Sequence, residues 1–288
     1  QLNEQSLMVK VIGLQAGDGR GVYRNTQLDL RNYKRLQMWV HAEKLIDDVT
    51  NLQSGEVSLF VRLGTDVKSN YYEYEIPLLL TPAGRYNGDL SSDRYIVWPE
   101  ENRLDLNLQN LVALKNERNA AKSQGGSNIG YATLYTGRDP DNERNRMAVI
   151  GNPSLSDVRV ILVGVRNNAS STRDAIVWVN ELKVTDFNES GGWAAKVNAN
   201  LGVSDIATLN FGAHVETAGF GGVDQALNAR RLNDYEQYNF AVQADLGRVV
   251  PEAAKLRAPI YYSVTKETTT PLYNPLDQDV LLEDALDA

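Results

Sequence analysis

A strict period of two runs through residues 191–217, "GGWAAKVNANLGVSDIATLNFGAHVET". From Trp193 onward one register is small and apolar, and the other holds mostly Lys, Asn, Gly, Thr and His. Successive side chains of a strand point to opposite faces, so this alternation predicts β-structure with one apolar and one polar face. The dipeptide Ser204-Asp205 interrupts the pattern, which then resumes, so we predict two strands joined by a turn.

Two further segments, Tyr238–Gly247 and Arg257–Lys266, show the same alternation. All four strand patterns are about 10 residues long, which is the length at which a tilted strand crosses a bilayer. Aromatic residues lie near the strand ends, as in the interfacial girdle of a transmembrane barrel: Trp193, Tyr238, Tyr261 and Tyr262. Strands of a soluble β-sandwich also alternate, however, so the pattern alone leaves both architectures open.

In a transmembrane barrel, one face of these strands contacts lipid and the other lines a wet lumen. The predicted lipid-facing residues are Trp193, Val197, Leu201, Leu209, Phe211, Val215, Tyr238, Phe240, Val242, Ile260 and Tyr262. The predicted lumen-facing residues are Asn198, Asn200, Asn210, Gln243 and Ser263. Four strands cannot close a barrel, and open edges in lipid leave backbone groups unpaired, so most of such a barrel would lie outside this chain.

The preceding part of the chain contains a series of short strand patterns separated by Gly, Asn and Asp turns, which predicts a sandwich or a barrel. Its resemblance to jelly-roll modules, described below, favours a jelly-roll-like β-sandwich. Within it, "VRVILVGVRN" (158–167) is apolar on both faces, as in a central strand. Helical spacing predicts one short helix near 108–122. Since the composition shifts at Asp186–Gly192, we predict an all-β chain with a sandwich domain at 1–190 and an incomplete barrel segment at 191–288.

Composition excludes several classes of function. A net charge of −8 argues against nucleic-acid binding, which needs clustered Lys and Arg. The 288 residues include no cysteine, which excludes a disulfide scaffold and cysteine catalysis. No apolar run is long enough to predict a transmembrane helix. Because the sequence starts without Met or a signal peptide and ends in an acidic segment, we expect an excerpt of a longer protein.

Few residues are candidates for chemistry. The two histidines, His41 and His214, lie in different regions without evident partners, so we expect ordinary polar-face histidines. Asp139, Asp141 and Glu143 could offer oxygen ligands to calcium, but their segment lacks the glycine of an EF-hand loop, so we expect a solvated charged loop. We therefore predict no catalytic residue, no metal site, no cofactor and no enzymatic activity.

Seven segments, taken in order, are similar to one protein family. They are "LNEQSL" (Leu2–Leu7), "YKRLQMWVHAE" (Tyr33–Glu43), "VSLFVRLGTD" (Val57–Asp66), "NYYEYEIPL" (Asn70–Leu78), "VWPEENRLDL" (Val97–Leu106), "GGWAAKVNANL" (Gly191–Leu201) and "YNPLDQDV" (Tyr273–Val280). They resemble the SprA/Sov family, the very large outer-membrane translocon of type IX secretion, also called a gliding-motility protein.

The resemblance implies a large β-barrel that passes folded cargo out of the periplasm, with soluble β-domains attached. It implies location in the outer membrane. The expected partners are the lipid bilayer, the remainder of the same barrel, other type IX secretion components and secreted cargo proteins. It brings no catalytic residues.

An alternative is a soluble carbohydrate-binding β-sandwich module of a cell-surface protein. The first part of the chain also resembles jelly-roll carbohydrate-binding modules in general, and "AIVWVNELKV" (175–184) has the form of their last strand. Tyr72 and Tyr74 share one face of a strand, as sugar-binding aromatics would, but core tyrosines meet this cue equally well. A glycan module would be a monomer without detergent, whereas excised barrel strands would need detergent or partner chains.

Overall fold

A computed structural model describes residues 6–123, 128–226 and 229–286. The described residues form mostly β-strands with few helices, which confirms the all-β class. The chain divides into two compact units, 1–188 and 189–288. No helix in the described ranges is long and apolar enough to cross a membrane.

The first unit contains ten strands and two α-helices among its described residues. The strands are β1 (Leu7–Leu14), β2 (Gly19–Leu28), β3 (Tyr33–Glu43), β4 (Val57–Gly64), β5 (Tyr71–Pro77), β6 (Leu104–Asn107), β7 (Tyr135–Asp139), β8 (Asn142–Ile150), β9 (Val158–Asn167) and β10 (Arg173–Phe187). The helices are α1 (Ser91–Val97) and α2 (Leu108–Ser123), with a single 3-10 turn at Glu100–Asn102. Helix α2 lies where the helical spacing predicts it.

These strands form two antiparallel sheets. The first has the order β1-β10-β3-β6, and the second has the order β2-β9-β4-β5-β8-β7. Strand β9, which is apolar on both faces in the sequence, lies between β2 and β4, in the interior of the six-stranded sheet. The position of β9 therefore follows from its lack of a polar face.

Each of the two sheets buries one face. In the four-stranded sheet, Leu36, Met38 and Val40 of β3 are at most 2% exposed. In the six-stranded sheet, β4 pairs with β5, and their facing residues are buried: Leu59, Val61, Leu63, Tyr72, Tyr74 and Ile76. Helix α2 contacts strands of both sheets, β3 and β6 in one and β7 and β8 in the other.

Two segments differ from the sequence expectation. The glycine-rich stretch at Gly17–Gly21 predicts a turn, and Gly17, with φ of 79°, does lie in one, but Gly19 and Gly21 already belong to β2. A Cβ at Gly21 would lie 2.6 Å from the Val163 carbonyl oxygen of β9, so the close pairing of the two strands requires glycine there. The expected charged loop around Asp139 and Glu143 is a hairpin, because β7 ends at Asp139 and β8 begins at Asn142.

The second unit contains a separate four-stranded antiparallel sheet in sequential order, β11-β12-β13-β14. Its strands are β11 (Ala194–Val203), β12 (Ala207–Glu216), β13 (Asn233–Asp245) and β14 (Pro259–Pro271). The short strands β15 (Tyr273–Asn274) and β16 (Asp277–Leu281) pair with each other, and α3 (Leu282–Leu286) follows. Two 3-10 turns, Leu246–Val249 and Glu252–Ala254, connect β13 to β14.

Candidate membrane-facing sheet

The pairing register of β11 to β14 brings the apolar positions of all four strands together. Leu201 pairs with Leu209, Leu209 with Val242, and Val242 with Tyr262. Directly paired residues of an antiparallel ladder lie on the same face of the sheet. The neighbouring row on that face is Ala199, Phe211, Phe240 and Val264.

Ten of the eleven residues predicted to face lipid lie on this apolar face, since each lies an even number of residues from these rows along its own strand. The eleventh, Trp193, directly precedes β11. The five residues predicted to face the lumen lie on the opposite face. Asn200 pairs with Asn210, which is followed by Ala241 and Ser263, and Gln243 pairs with Thr208. Within the four strands the structure therefore separates the two predicted sets, while contact with lipid or lumen stays a prediction.

The apolar face carries large side chains that are open to the surroundings. Leu201 is 60% exposed, Val197 is 52% exposed and Tyr262 is 55% exposed. Within the four strands the only buried residue is Gly212, which lies on the polar face between Asn198 and Asn239. No described residue of this unit packs on the apolar face in the way that a core would.

The apolar face has a height that suits a bilayer. The ten steps from Trp193 to Val203 span about 33 Å along the strand, and a tilt of about 40° reduces this to about 25 Å across a membrane. Glu236 and Lys266 also lie on this face, in rows near the Trp193 end. Charged and indole groups at one border of an apolar band are typical of a membrane interface.

One aromatic residue of the expected girdle lies elsewhere. Tyr261 pairs with Gln243 and therefore lies on the polar face. Its neighbour Tyr262 is on the apolar face, because successive residues of a strand alternate. Tyr238 is on the apolar face but lies inside β13, which begins at Asn233, so the expected position of all four aromatics at strand ends is wrong for Tyr238. The proximity of Tyr261 to a strand end could not reveal its side.

The polar face carries most of its charged groups at one end, near His214 and Glu216, and Asp245 lies at the other end. His214 Nε2 lies 3.0 Å from Glu216 Oε1, and Arg231 Nη1 lies 3.2 Å from Glu216 Oε2. The His214 ring also contacts the Tyr235 ring at 5.6 Å between centroids. His214 is therefore a polar-face residue, as expected, and the central rows of that face are Asn, Gly, Thr, Gln, Ala and Ser.

The other candidates for chemistry lie in the first unit and are engaged in structural contacts. Asp139 is fully buried, and its carboxylate accepts hydrogen bonds from the Tyr74 hydroxyl (2.6 Å), the Asn110 amide (2.9 Å) and the Asp141 backbone (3.0 Å). Burial and then this hydrogen bond to Asp139 raise the pKa of Tyr74. Both carboxylate oxygens of Asp139 thus serve to hold α2 and β5 in place.

His41 is 8% exposed rather than solvated. Its Nδ1 lies 2.8 Å from the Val97 carbonyl oxygen and 2.9 Å from Thr81 Oγ1, and Nε2 lies 3.7 Å from Glu43. The ring lies on the outer face of β3 and fixes the end of α1. The sequence places His41 on the correct face but does not reveal the segment that covers it.

A buried ion-pair network that the sequence did not indicate covers the outer face of the six-stranded sheet. Glu73 is 1% exposed and contacts Arg62 (2.7 Å), Arg146 (2.9 Å) and Arg166 (3.0 Å). Glu75 also pairs with Arg146 and Arg166. Burial opposes ionisation of Glu75, but hydrogen bonds from Ser58 and Arg146 and the charge of Arg166 outweigh it and hold its pKa below 4.5.

The two units define an all-β protein that joins a unit with buried sheet faces to an open sheet with an exposed apolar face. A family model, SprA_N, described as a motility related/secretion protein, matches residues 1–286. The chain belongs to this family, which confirms the resemblance to SprA/Sov proteins. No curated protein matches the chain.

Proposed function

We propose that the sheet β11–β14 is a segment of the wall of a transmembrane β-barrel, and that this barrel is the outer-membrane protein-conducting channel of type IX secretion. The barrel exports folded cargo and supports gliding motility in family members. The observation that carries the proposal is the apolar face, which is in register across four strands and which no described part of its own unit covers. Membership of the motility and secretion family supports it.

The physical argument compares water with lipid. An apolar patch of this extent is unfavourable in water, by roughly 25 cal/mol per Å² of apolar surface, and is rare on soluble monomers. In a bilayer the same face contacts acyl chains, and the opposite Asn-rich and Thr-rich face lines an aqueous lumen. Strands β11 and β14 are the edges of the sheet, and lipid requires that their backbone groups pair, so the remainder of the barrel completes them.

The proposal assigns the chain to the outer membrane. Its partners are the lipid bilayer, the remainder of its own barrel, other type IX secretion components and the cargo. The first unit is proposed as a β-sandwich domain attached to the barrel. No enzymatic step, metal or cofactor is assigned to either unit, and nucleic acid is not a proposed ligand.

Single-cysteine labelling in membranes tests the proposal, and the 288 residues contain no native cysteine. The full-length protein carries one cysteine at a time, at Val197, Leu209 or Val242 on the apolar face, or at neighbouring positions on the polar face. These matched controls are Asn198, Asn210 and Gln243. We expect a water-soluble maleimide to label the control positions, and to label the apolar positions only after detergent is added.

Equal labelling of both faces by the water-soluble reagent would contradict the barrel and favour the soluble carbohydrate-binding module. The two tyrosines that the sequence offered for that alternative do not support it, because Tyr72 and Tyr74 are each 1% exposed and cannot stack on a sugar. The module also requires a monomer that stays in solution without detergent. Sedimentation of the chain with and without detergent therefore provides a second, independent measurement.

A further inference from the structure

An open cleft of about 420 Å³ lies on the outer face of the four-stranded sheet of the first unit. Its floor is formed by Trp39 of β3 and Asn180 of β10, which are paired in the ladder. Its wall is formed by Ser91, Arg94, Tyr95 and Trp98. The spacing of these four residues, i, i+3, i+4 and i+7, places them on one side of α1 and its C-terminal cap.

Helix α1 contributes little to the core, because none of its residues is buried. It is instead held over the sheet by its end, where the Val97 carbonyl oxygen lies 2.8 Å from His41 Nδ1. The His41 ring lies 5.8 Å from the Trp98 ring, and the Arg103 guanidinium lies 5.0 Å from the Trp39 ring centre. Both indoles are therefore positioned in advance, which lowers the entropy lost when a ligand binds.

The rim of the cleft carries backbone strain. Strand β10 has a β-bulge between Asn180 and Lys183, and Glu181 within it has φ of 53° although it is not glycine. Bulges re-aim side chains, and strained residues of this kind concentrate at functional sites. Here the bulge places the Glu181 carboxylate at the cleft, where it forms an ion pair of 3.3 Å with Lys183.

We propose that this cleft binds a neutral saccharide chain. The flat faces of Trp39, Tyr95 and Trp98 suit the apolar C–H faces of pyranose rings, which pack on aromatic rings and exclude water. Around them the Ser91 hydroxyl, the Asn180 amide and the charged groups of Arg94 and Glu181 can donate to and accept from sugar hydroxyls. A volume of about 420 Å³ lies within the usual range of small-ligand sites.

The charges of the cleft lining favour a neutral saccharide over a phosphate or a cation as the ligand. The cleft lining holds one arginine and one glutamate, so it offers no net attraction to a phosphate or to a cation. A proline-rich peptide would use the aromatic rings but has no hydroxyl groups for the polar rim of the cleft. Several hydroxyls on each sugar ring can bond to Asn180 and Arg94 as well as stack on the rings. The inference concerns the first unit alone and does not depend on the barrel.

Calorimetric titration of the full chain with neutral hexasaccharides tests the inference. The titrants are cellohexaose, chitohexaose, maltohexaose and xylohexaose, in a detergent without a sugar headgroup. We expect at least one to bind, and we expect Tyr95→Ala and Trp98→Ala each to weaken that binding about tenfold or more. Tyr23→Ala is the matched control, since Tyr23 is a 65% exposed aromatic on β2, in the other sheet, and should not change the affinity.

The variant Glu181→Gly tests whether a loss of sugar affinity can occur without a loss of stability. Glycine adopts positive φ without strain, so the melting temperature should stay constant or rise while the affinity falls about tenfold. Failure of all four sugars to bind would overturn the inference, as would an affinity unchanged by Trp98→Ala and Tyr95→Ala. Binding of a proline decapeptide that depends on Tyr95 and Trp98, without sugar binding, would overturn the saccharide assignment.

Discussion

Strands β3 and β11 alternate in the same way but lie in opposite surroundings. In β3 the apolar residues Leu36, Met38 and Val40 are buried, whereas in β11 Val197 and Leu201 are more than half exposed. The period of two therefore specifies which side of a strand is apolar, and leaves open whether protein or lipid covers that side. Exposure distinguishes the two strands, whereas length does not, since β3 has 11 residues and β11 has 10.

The polar faces of the two units differ as well. The six-stranded sheet covers its outer face with buried, paired charges, where Glu73 contacts three arginines. The central rows of the second unit's polar face are uncharged. A rigid charged network stabilises one defined structure, whereas a neutral wet face suits a lumen through which cargo of differing charge passes.

The largest expected difference between the units concerns deletion of apolar side chains. Leu63→Ala should reduce the free energy of unfolding of the first unit by about 2–5 kcal/mol, because Leu63 is 1% exposed. Leu201→Ala, at 60% exposure, should cost less than about 0.5 kcal/mol in the absence of lipid. Urea unfolding measures both, and equal losses would show that the second unit has a core of its own.

Arginine substitutions sharpen the comparison within the second unit. In membranes, Val242→Arg should destabilise the full-length protein by about 2–4 kcal/mol, because it places a charge in the apolar band. Gln243→Arg, one residue further on the polar face, should cost about 0–1 kcal/mol. Reversible unfolding in lipid vesicles measures the two variants, and similar costs would mean that both faces meet the same medium.

Acid should act on the first unit through its paired carboxylates. The pKa of Glu75 is lowered in the folded state, so its ionised form contributes stability that is fully present above pH 4.5 and is lost as the pH falls through the lowered pKa. Hydrogen bonding to Arg173 also lowers the pKa of Glu56. We expect the stability of the first unit to fall as the pH is lowered below about 5.

The control for this prediction is Glu75→Gln. Removing one titrating group should reduce the slope of unfolding free energy against pH between about 5 and 2. The slope should not vanish, since Glu56 still titrates. An unchanged slope would show that Glu75 ionises equally well in the folded and unfolded chains.

The smallest expected effect is that of a chelator. Asp139 uses both carboxylate oxygens for hydrogen bonds to protein groups, so we predict that EDTA leaves the melting temperature of the first unit unchanged. Differential scanning calorimetry before and after dialysis provides the measurement. A lowered melting temperature that calcium restores would assign metal binding to the β7–β8 hairpin.

The alternation of odd and even positions along the chain was sufficient to predict which face of the second unit's sheet most of its residues occupy. It could assign Leu209 and Val242 to a common face because their segments alternate without interruption. It could not assign Tyr261, since closeness to a strand end does not specify a side. The alternation also does not predict which residues pair across strands, because the register depends on turns and on backbone hydrogen bonds between segments.

In the first unit the misses have local causes. Strand β2 contains Gly19 and Gly21, whose usual meaning is a turn, and only the approach of β9 explains them. Strand β8 has a polar first half in which the first three residues are exposed and Arg146 belongs to the ion-pair network, so the sequence there resembles a loop. The cleft was missed because Trp39 and Trp98 are far apart in sequence, and no spacing rule connects them.

The sequential order of β11 to β14 has a kinetic consequence. Each strand pairs with the one that follows it in the chain, so forming the sheet closes only the connections at 204–206, 217–232 and 246–258 and needs no crossover between distant strands. Topologies with such local pairings fold quickly. After each pairing the newest strand presents a free edge that templates the next strand. A sheet of this kind can be lengthened one strand at a time, in the order in which the strands follow one another in the chain.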